Sequence, residues 1–210
     1  PCECFQLKGS NGCSDSEREL NIRMHKAMSI IQFKIEGQLS RRYPEFGLEE
    51  RCLLHRIDYR KGTIVLEGKE YTLLDKNFPT VDENYPYRLS ETEYMIMERL
   101  EKAFLNCEKL QQHMRFLLAK GSLYKVYNGN LLYHGCVPLN EDGSLAEVTL
   151  FGRRCCGKAY YEFLESYVRK GFMAVDDTER ERGKDTMWYI WLGKNSPLFG
   201  KDKMATFERY

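Results

Sequence analysis

The dipeptide Asn128-Gly129 sits between two short apolar runs, and it restricts the chain more than any other two residues. Asn-Gly supplies the two consecutive left-handed residues of a type I′ turn, so Leu123–Tyr127 is expected to pair with Asn130–Tyr133 as a hairpin. The second strand runs Asn130-Leu131-Leu132-Tyr133 into His134-Gly135-Cys136-Val137-Pro138. The proline stops any continuation. A histidine is thereby expected at the C-terminal lip of a buried strand, where a rigid strand presents a side chain to an adjustable loop. Gly135 adds close access for a substrate or ion to the backbone.

Around that hairpin the chain offers enough material for one generous domain or two small ones, with 42% hydrophobic residues in 210. Lys+Arg 32 against Asp+Glu 31 leaves a net charge of +1, which argues against a nucleic-acid or membrane-surface partner. No apolar run reaches the length of a membrane span, and no signal-peptide pattern is present, so a cytoplasmic location is expected. Eight cysteines admit either a disulfide framework or reduced thiols, and long apolar helices able to form a core favour reduced thiols. Cys2-Glu3-Cys4, Cys13 and Cys155-Cys156 lack the CxxC spacing of a structural zinc site. Pro1 and Tyr210 do not resemble natural termini, so the chain reads as an internal piece of a longer one.

From the N-terminus, Ser14-Asp15-Ser16-Glu17 reads as a capping box opening a helix to about Arg42. Leu20, Met24, Ala27, Met28, Ile31, Ile35 and Leu39 form its apolar face, with His25 beside it. Tyr43–Gly47 breaks that helix, and strands at about Leu53–Tyr59, Thr63–Leu66 and Glu70–Leu73 form a small meander with His55 half-buried in the first. Asp75–Leu89, with Phe78, Tyr85 and Tyr87, reads as a packed extended arm. Ser90-Glu91-Thr92-Glu93 is a second capping box, expected to start one helix to about Lys120 with Gly121 after it. Met97, Leu100, Phe104, Leu110, Met114, Leu117 and Leu118 give it a wide stripe, with His113 at its margin, and the two long helices are expected to pair antiparallel.

Beyond the hairpin, a turn at Glu141–Ser144 leads to a strand at Glu147–Phe151. Gly152–Gly157 then feeds a helix from Lys158 to Lys170, closed by Gly171. Arg153 and Arg154 beside that glycine-flanked helix start could hold a phosphate. The charge run Asp176–Lys184 reads as a surface loop, and Asp185–Pro197 as an aromatic segment ending in a Gly/Asn/Pro turn, with Trp188 and Trp191 in the core.

A neutral imidazole is a natural ligand for manganese, iron or zinc, but a two-metal site needs further Asp, His and Asn ligands. Asp-x-His, Gly-Asp-x-x-Asp, Gly-Asn-His and Gly-His-x-His, which would supply them, do not occur in these 210 residues. The stretch Leu131–Pro138 resembles the fourth metal-binding motif of calcineurin-like metallophosphatases, and Tyr189–Pro197 resembles the Trp-containing segment that follows it. Adding Asn77–Asp82, Gly121–Tyr124, Phe151–Arg154 and Trp191–Tyr210, the whole chain is similar to class III fructose-1,6-bisphosphatases, covering about the middle third of that family's length.

The resemblance implies an α+β chain: residues 1–120 as a helical insertion or cap with a small meander, then 121–210 as part of a metallophosphatase sandwich. It implies a gluconeogenic hydrolase acting on the 1-phosphate of a sugar bisphosphate with divalent metal, expected to be Mn²⁺. His134 matches the fourth-motif ligand, while Gly135 and Pro138 match the turn that positions it. The other ligands would lie before Pro1 and after Tyr210, leaving this stretch inactive alone. Arg153, Arg154, Lys194 and Asn195 are extrapolated to the substrate phosphates. No nucleic acid and no membrane are expected as partners, and a homo-oligomer is compatible with the sheet edge such a piece would expose. Two other readings stand beside this one. One is a non-catalytic helical partner-binding or regulatory module with His134 structural; the other is a thiol-based metal module built on the N-terminal cysteines.

Overall fold

The computed structural model describes residues 16–199, with side chains from residue 20 onward. The capping box at Ser14–Glu17, Cys2, Cys4, Cys13 and the segment after Phe199 lie outside the described residues. Among the described residues the chain divides into two compact units: those up to Arg42 with Glu49–Lys102, and Tyr43–Leu48 with Ala103 through Phe199. The fold is α+β, with five α-helices and three small antiparallel sheets among the described residues.

The first unit begins with helix α1, Ser16–Arg42. Its expected apolar face is only half realised. Ile31 and Leu39 are buried, whereas Leu20, Met24 and Met28 are exposed, and Lys34 and Glu36 are fully buried instead. The reason is that residues 30–40 are enclosed on more than one side, so polar positions there need built-in partners. Lys34 donates to Glu93 Oε2 at 2.7 Å and to the Thr80 carbonyl at 2.6 Å. The Glu36 carboxylate accepts from Arg51 Nε at 3.2 Å and from Gln32 Nε2 at 2.7 Å.

Three short 3-10 turns follow α1, the last covering Leu54–Arg56. The meander is β1 (Ile57–Asp58), β2 (Thr63–Leu66) and β3 (Lys69–Thr72), paired in the order β1-β2-β3. The expected first strand, Leu53–Tyr59, therefore shrinks to two residues, and His55 lies in a 3-10 turn rather than in a strand. Ile30, Phe33, Cys52, Leu53, Leu54, Ile57, Ile64, Leu73 and Tyr87 form one core, and Phe78 packs against it. The connector is thus docked through Phe78 and Tyr87, while Tyr85 stays exposed. Tyr87 lies so close to α1 that a Cβ on Gly37 would fall 2.0 Å from its ring.

Helix α2, Glu91–Leu105, opens on the expected capping box. The Ser90 amide donates to Glu93 Oε2 at 2.7 Å, and the Glu93 amide donates to Ser90 Oγ at 3.3 Å. The same carboxylate therefore caps a helix and neutralises Lys34.

The helix expected to run from 91 to 120 is two helices. In the second unit α3 spans Glu108–Lys120, with the Gln111 side chain donating to the Phe104 carbonyl across the break. No residue of α3 is buried, and Phe104, Phe116 and Leu117 are exposed, so the expected stripe is not a core face there, and the second long helix expected to pair with α1 is not one helix. Gly121 does end α3, its amide donating to the Leu117 carbonyl at 2.7 Å.

The hairpin pairs β4 (Tyr124–Tyr127) with β5 (Asn130–Tyr133), Tyr124 facing Tyr133 and Tyr127 facing Asn130. Asn128 and Gly129 take φ of +48° and +74°, as a type I′ turn requires. A second hairpin pairs β6 (Val148–Leu150) with β7 (Arg153–Cys155) through Phe151-Gly152, again both at positive φ. A phenylalanine holds that conformation because its ring is gripped, stacked 4.9 Å from Tyr167 and edge-on 5.2 Å from Tyr43.

Helix α4 spans Gly157–Met173, and α5 spans Asp177–Leu192. Two expectations fail here. The charge run at 176–184 is helical, because Asp176 caps it by accepting the Glu179 amide at 2.8 Å. Gly171 does not end α4 but lies within it, at the point where α4 crosses α5. A Cβ on Gly171 would sit 2.5 Å from the Gly183 Cα, and one on Gly183 would sit 2.5 Å from the Gly171 Cα. No helix is long and apolar enough to cross a membrane among the described residues. Cys52, Cys107, Cys136, Cys155 and Cys156 form no disulfide.

Candidate functional site

His134 follows the last residue of β5 and is exposed, as is every residue of that strand. The strand is therefore not buried as expected. The base of the hairpin is held by α4. Ser122 and the Leu123 amide both bond the Glu165 carboxylate, Arg169 donates to the Gly121 carbonyl at 2.7 Å, and Tyr124 packs edge-on against Tyr161 at 5.8 Å.

Beyond His134 the chain docks onto the turn that follows α5, bringing together two motifs 60 residues apart. The Cys136 amide donates to the Pro197 carbonyl at 3.1 Å, and the Cys136 thiol donates to the Ser196 carbonyl at 3.0 Å. The approach is so close that a Cβ on Gly135 would lie 2.4 Å from the Leu198 oxygen and 2.5 Å from the Pro197 oxygen. Only a glycine fits there without displacing one chain or the other. On the far side, Tyr161 donates to the Cys136 carbonyl at 2.7 Å, and the Pro138 carbonyl accepts the Ala146 amide at 3.0 Å.

The receiving turn is itself built on buried polar groups. Ser196 is fully buried; its hydroxyl donates to the Ile190 carbonyl and accepts the Leu198 amide at 3.1 Å. Tyr160 donates to the Asn195 carbonyl at 2.9 Å and lies 2.8 Å from the Tyr189 hydroxyl. Burial pushes both phenols up, Tyr189 to about 12, so both remain neutral donors. Outside this frame, the His134 ring meets Phe199 edge-on at 6.2 Å, and Phe199 meets Trp191 at 5.2 Å. Trp191 is 58% exposed, so it lines this surface rather than the core.

The other anticipated site residues divide between two places. Lys194 and Asn195 lie in the turn that receives the His-Gly segment, where the Asn195 carbonyl serves the frame. Arg153 and Arg154 are exposed on β7: the Arg153 guanidinium lies 5.5 Å over the Phe163 ring, and Arg154 pairs with Glu147 at 3.3 Å. Cys136, Ser196 and Tyr160 hold together the segments beside His134, and sequence reasoning did not single them out for this. Their small or aromatic character gives no signal for a contact made across 60 residues.

A divalent ion would need several ligands converging on one point. Among the described residues no three His, Cys, Asp or Glu side chains do so, and His134 stands as a single imidazole. The described residues therefore do not by themselves complete a metal centre.

The frame that presents one exposed histidine on a His-Gly turn coincides with a family assignment. A sequence model described as Firmicute fructose-1,6-bisphosphatase matches residues 1–210, and the chain belongs to that family. Among curated proteins it is 50% identical over 211 residues to the fructose-1,6-bisphosphatase class 3 of Clostridium botulinum strain Langeland, and equally to that of strain Okra. The corresponding protein of strain Alaska E43 is 49% identical over 213 residues. Each comparison takes in 100% of this chain and 32% of the relative, so the chain spans about a third of the length of the curated relatives it matches. No solved structure matches it.

Proposed function

We propose that this chain is one part of a class III fructose-1,6-bisphosphatase, an enzyme hydrolysing the 1-phosphate of fructose 1,6-bisphosphate to fructose 6-phosphate and phosphate. The observation that carries the reading is identity of about half over the whole chain to proteins of that name. In it, His134 is a ligand of a divalent-metal centre, with Mn²⁺ the expected ion, and the metal would polarise the scissile phosphate and activate water. The chain's own contribution is mechanical. Gly135 lets the backbone seat on Pro197 and Leu198, Cys136 and Tyr161 fix that seat, and the imidazole is left projecting at the strand end.

The remaining ligands come from the longer protein, and the hairpin becomes part of its calcineurin-like sandwich. An isolated two-stranded ribbon is at best marginally stable in water, and this one exposes Val126, Leu131, Leu132 and Tyr133. That exposure fits a piece whose partners lie elsewhere in the same polypeptide. A cytoplasmic, sugar-metabolising enzyme, assembled as an oligomer, completes the reading. Lys194 and Asn195 are better placed than Arg153 and Arg154 to meet a substrate phosphate, because they lie in the turn that receives the His134 segment.

The test is manganese-dependent phosphate release from fructose 1,6-bisphosphate by the full-length protein and its His134→Ala variant. A fall of more than about a hundred-fold is expected, since even outer-shell changes at metal sites cost ten- to hundred-fold. Activity within a few-fold of the parent would overturn the assignment of His134. Absence of activity in the parent would overturn the enzyme reading itself.

A further inference from the structure

An aromatic row beside His134 plays no part in the frame that seats its turn. The His134 ring meets Phe199 at 6.2 Å, and Phe199 meets Trp191 at 5.2 Å with the two planes inclined by 59°. Trp191 is 58% exposed and Phe199 41%. Neither ring hangs on a loose end. Trp191 belongs to the last turn of α5, which the Gly193 amide closes onto the Tyr189 carbonyl at 2.7 Å. The Phe199 amide donates to the hydroxyl of fully buried Ser196 at 3.4 Å. Both rings are therefore presented by fixed backbone.

Core packing does not explain them. Tyr189, Ile190 and Leu192 form the buried side of this turn, and Trp191 is its exposed member, as Met187 is of the turn before. Burying a large apolar side chain is worth roughly 1.5–3 kcal/mol, and an indole left in water forgoes it. The face of the ring carries a negative quadrupole, which attracts polarised C–H bonds and repels anions. A sugar ring offers C–H bonds over its face and hydroxyl groups round its edge, whereas inorganic phosphate has no such face. Three residues beyond Trp191 the cationic Lys194 is exposed, so one turn carries both an aromatic face and a charge suited to a phosphate.

We propose that Trp191, backed by Phe199, is the platform for the sugar ring of the substrate whose phosphate is held at the His134 centre. This role rests on the reading of the chain as part of a sugar-bisphosphate phosphatase. It makes Trp191 a residue of substrate selection: the indole meets the sugar and leaves the phosphate to the metal, so an ester bearing a sugar ring gains from it and bare phosphate does not. Phe199, between the two rings, sets the offset of the platform from the imidazole.

The experiment uses the full-length protein with Mn²⁺ and its Trp191→Leu and Trp191→Phe variants. Fructose 1,6-bisphosphate is the substrate and inorganic phosphate the competing inhibitor. In Trp191→Leu, kcat/KM for the bisphosphate should fall about three- to ten-fold, the range of one aromatic contact, and Trp191→Phe should regain most of it. The inhibition constant of phosphate and the Mn²⁺ concentration giving half-activity should remain those of the parent. An active parent with kcat/KM unchanged in Trp191→Leu would overturn the platform and leave the phosphatase reading standing. A fall in kcat/KM matched by an equal weakening of phosphate inhibition would overturn it too, since the effect would then lie at the metal centre. So would a lowered unfolding midpoint with kcat/KM unchanged, which would assign Trp191 to packing against the rest of the polypeptide. A parent without turnover removes the phosphatase reading, and this role with it.

Discussion

Replacing Gly135 by alanine should damage the His134 turn through one identifiable contact. The added methyl would lie 2.4 Å from the Leu198 oxygen, 2.5 Å from the Pro197 oxygen and 2.8 Å from the Leu198 carbon, all of them main chain. None can rotate away, so one chain must retreat by about an ångström to restore van der Waals distance. Retreat breaks the Cys136 amide bond to Pro197 and the thiol bond to Ser196. Overpacking costs roughly 1–3 kcal/mol and the lost amide bond about 1 kcal/mol, so a total of roughly 2–4 kcal/mol is expected. Urea denaturation followed by Trp188 and Trp191 fluorescence measures it, since both tryptophans lie in α5. Gly129→Ala is the control: its φ is +74° but its surroundings are open, so only the left-handed penalty of roughly 1–2 kcal/mol applies. Peptide-resolved thiol labelling should also quicken at Cys136 in Gly135→Ala and not in Gly129→Ala. A Gly135→Ala protein no less stable than the Gly129→Ala control, with Cys136 labelled at the parent rate, would refute the steric argument.

Three further outcomes are expected. Glu93→Ala should cost about 3–5 kcal/mol in thermal or urea unfolding, because it strands the fully buried Lys34, while Lys34→Met with Glu93→Leu together should cost less. Tyr160→Phe should destabilise more than Tyr189→Phe, by about 1–3 kcal/mol: the first leaves the Tyr189 hydroxyl and the Asn195 carbonyl unpartnered, the second leaves Tyr160 still donating. His55, with a folded pKa below its ordinary 6.5, takes up its proton more readily when unfolded, so stability should decline as the pH falls below 6.5; His55→Gln should flatten that decline in a pH series of unfolding midpoints.

Features encoded within a few residues were legible from the sequence. Asn128-Gly129 and Ser90/Glu93 carry their geometry in their own side chains and φ preferences, and both form as expected. The break between α2 and α3 was hidden, since Leu105-Asn106-Cys107 contains neither glycine nor proline. The helical character of 176–184 was hidden by its charge, although Asp176 followed by Glu179 already formed a cap. In α1, periodicity pointed to Leu20, Met24 and Met28, but burial is decided by what packs on the helix, and that choice put Lys34 and Glu36 inside. At the candidate site the histidine and its glycine were visible. The seat on Ser196–Leu198 was not, because it joins residues whose spacing encodes no register.

The crossing of α4 and α5 has a consequence for how such a chain can drift. A bulky substitution at most interfaces can be rescued by trimming the residue opposite. Here both positions, Gly171 and Gly183, already carry the smallest side chain there is, and each would drive a Cβ against the other's Cα. No compensating change exists at either site, so the two glycines are locked one by one rather than as an exchangeable pair. Only a shift of the helices themselves could release them, and α5 leads directly into the turn that seats Cys136.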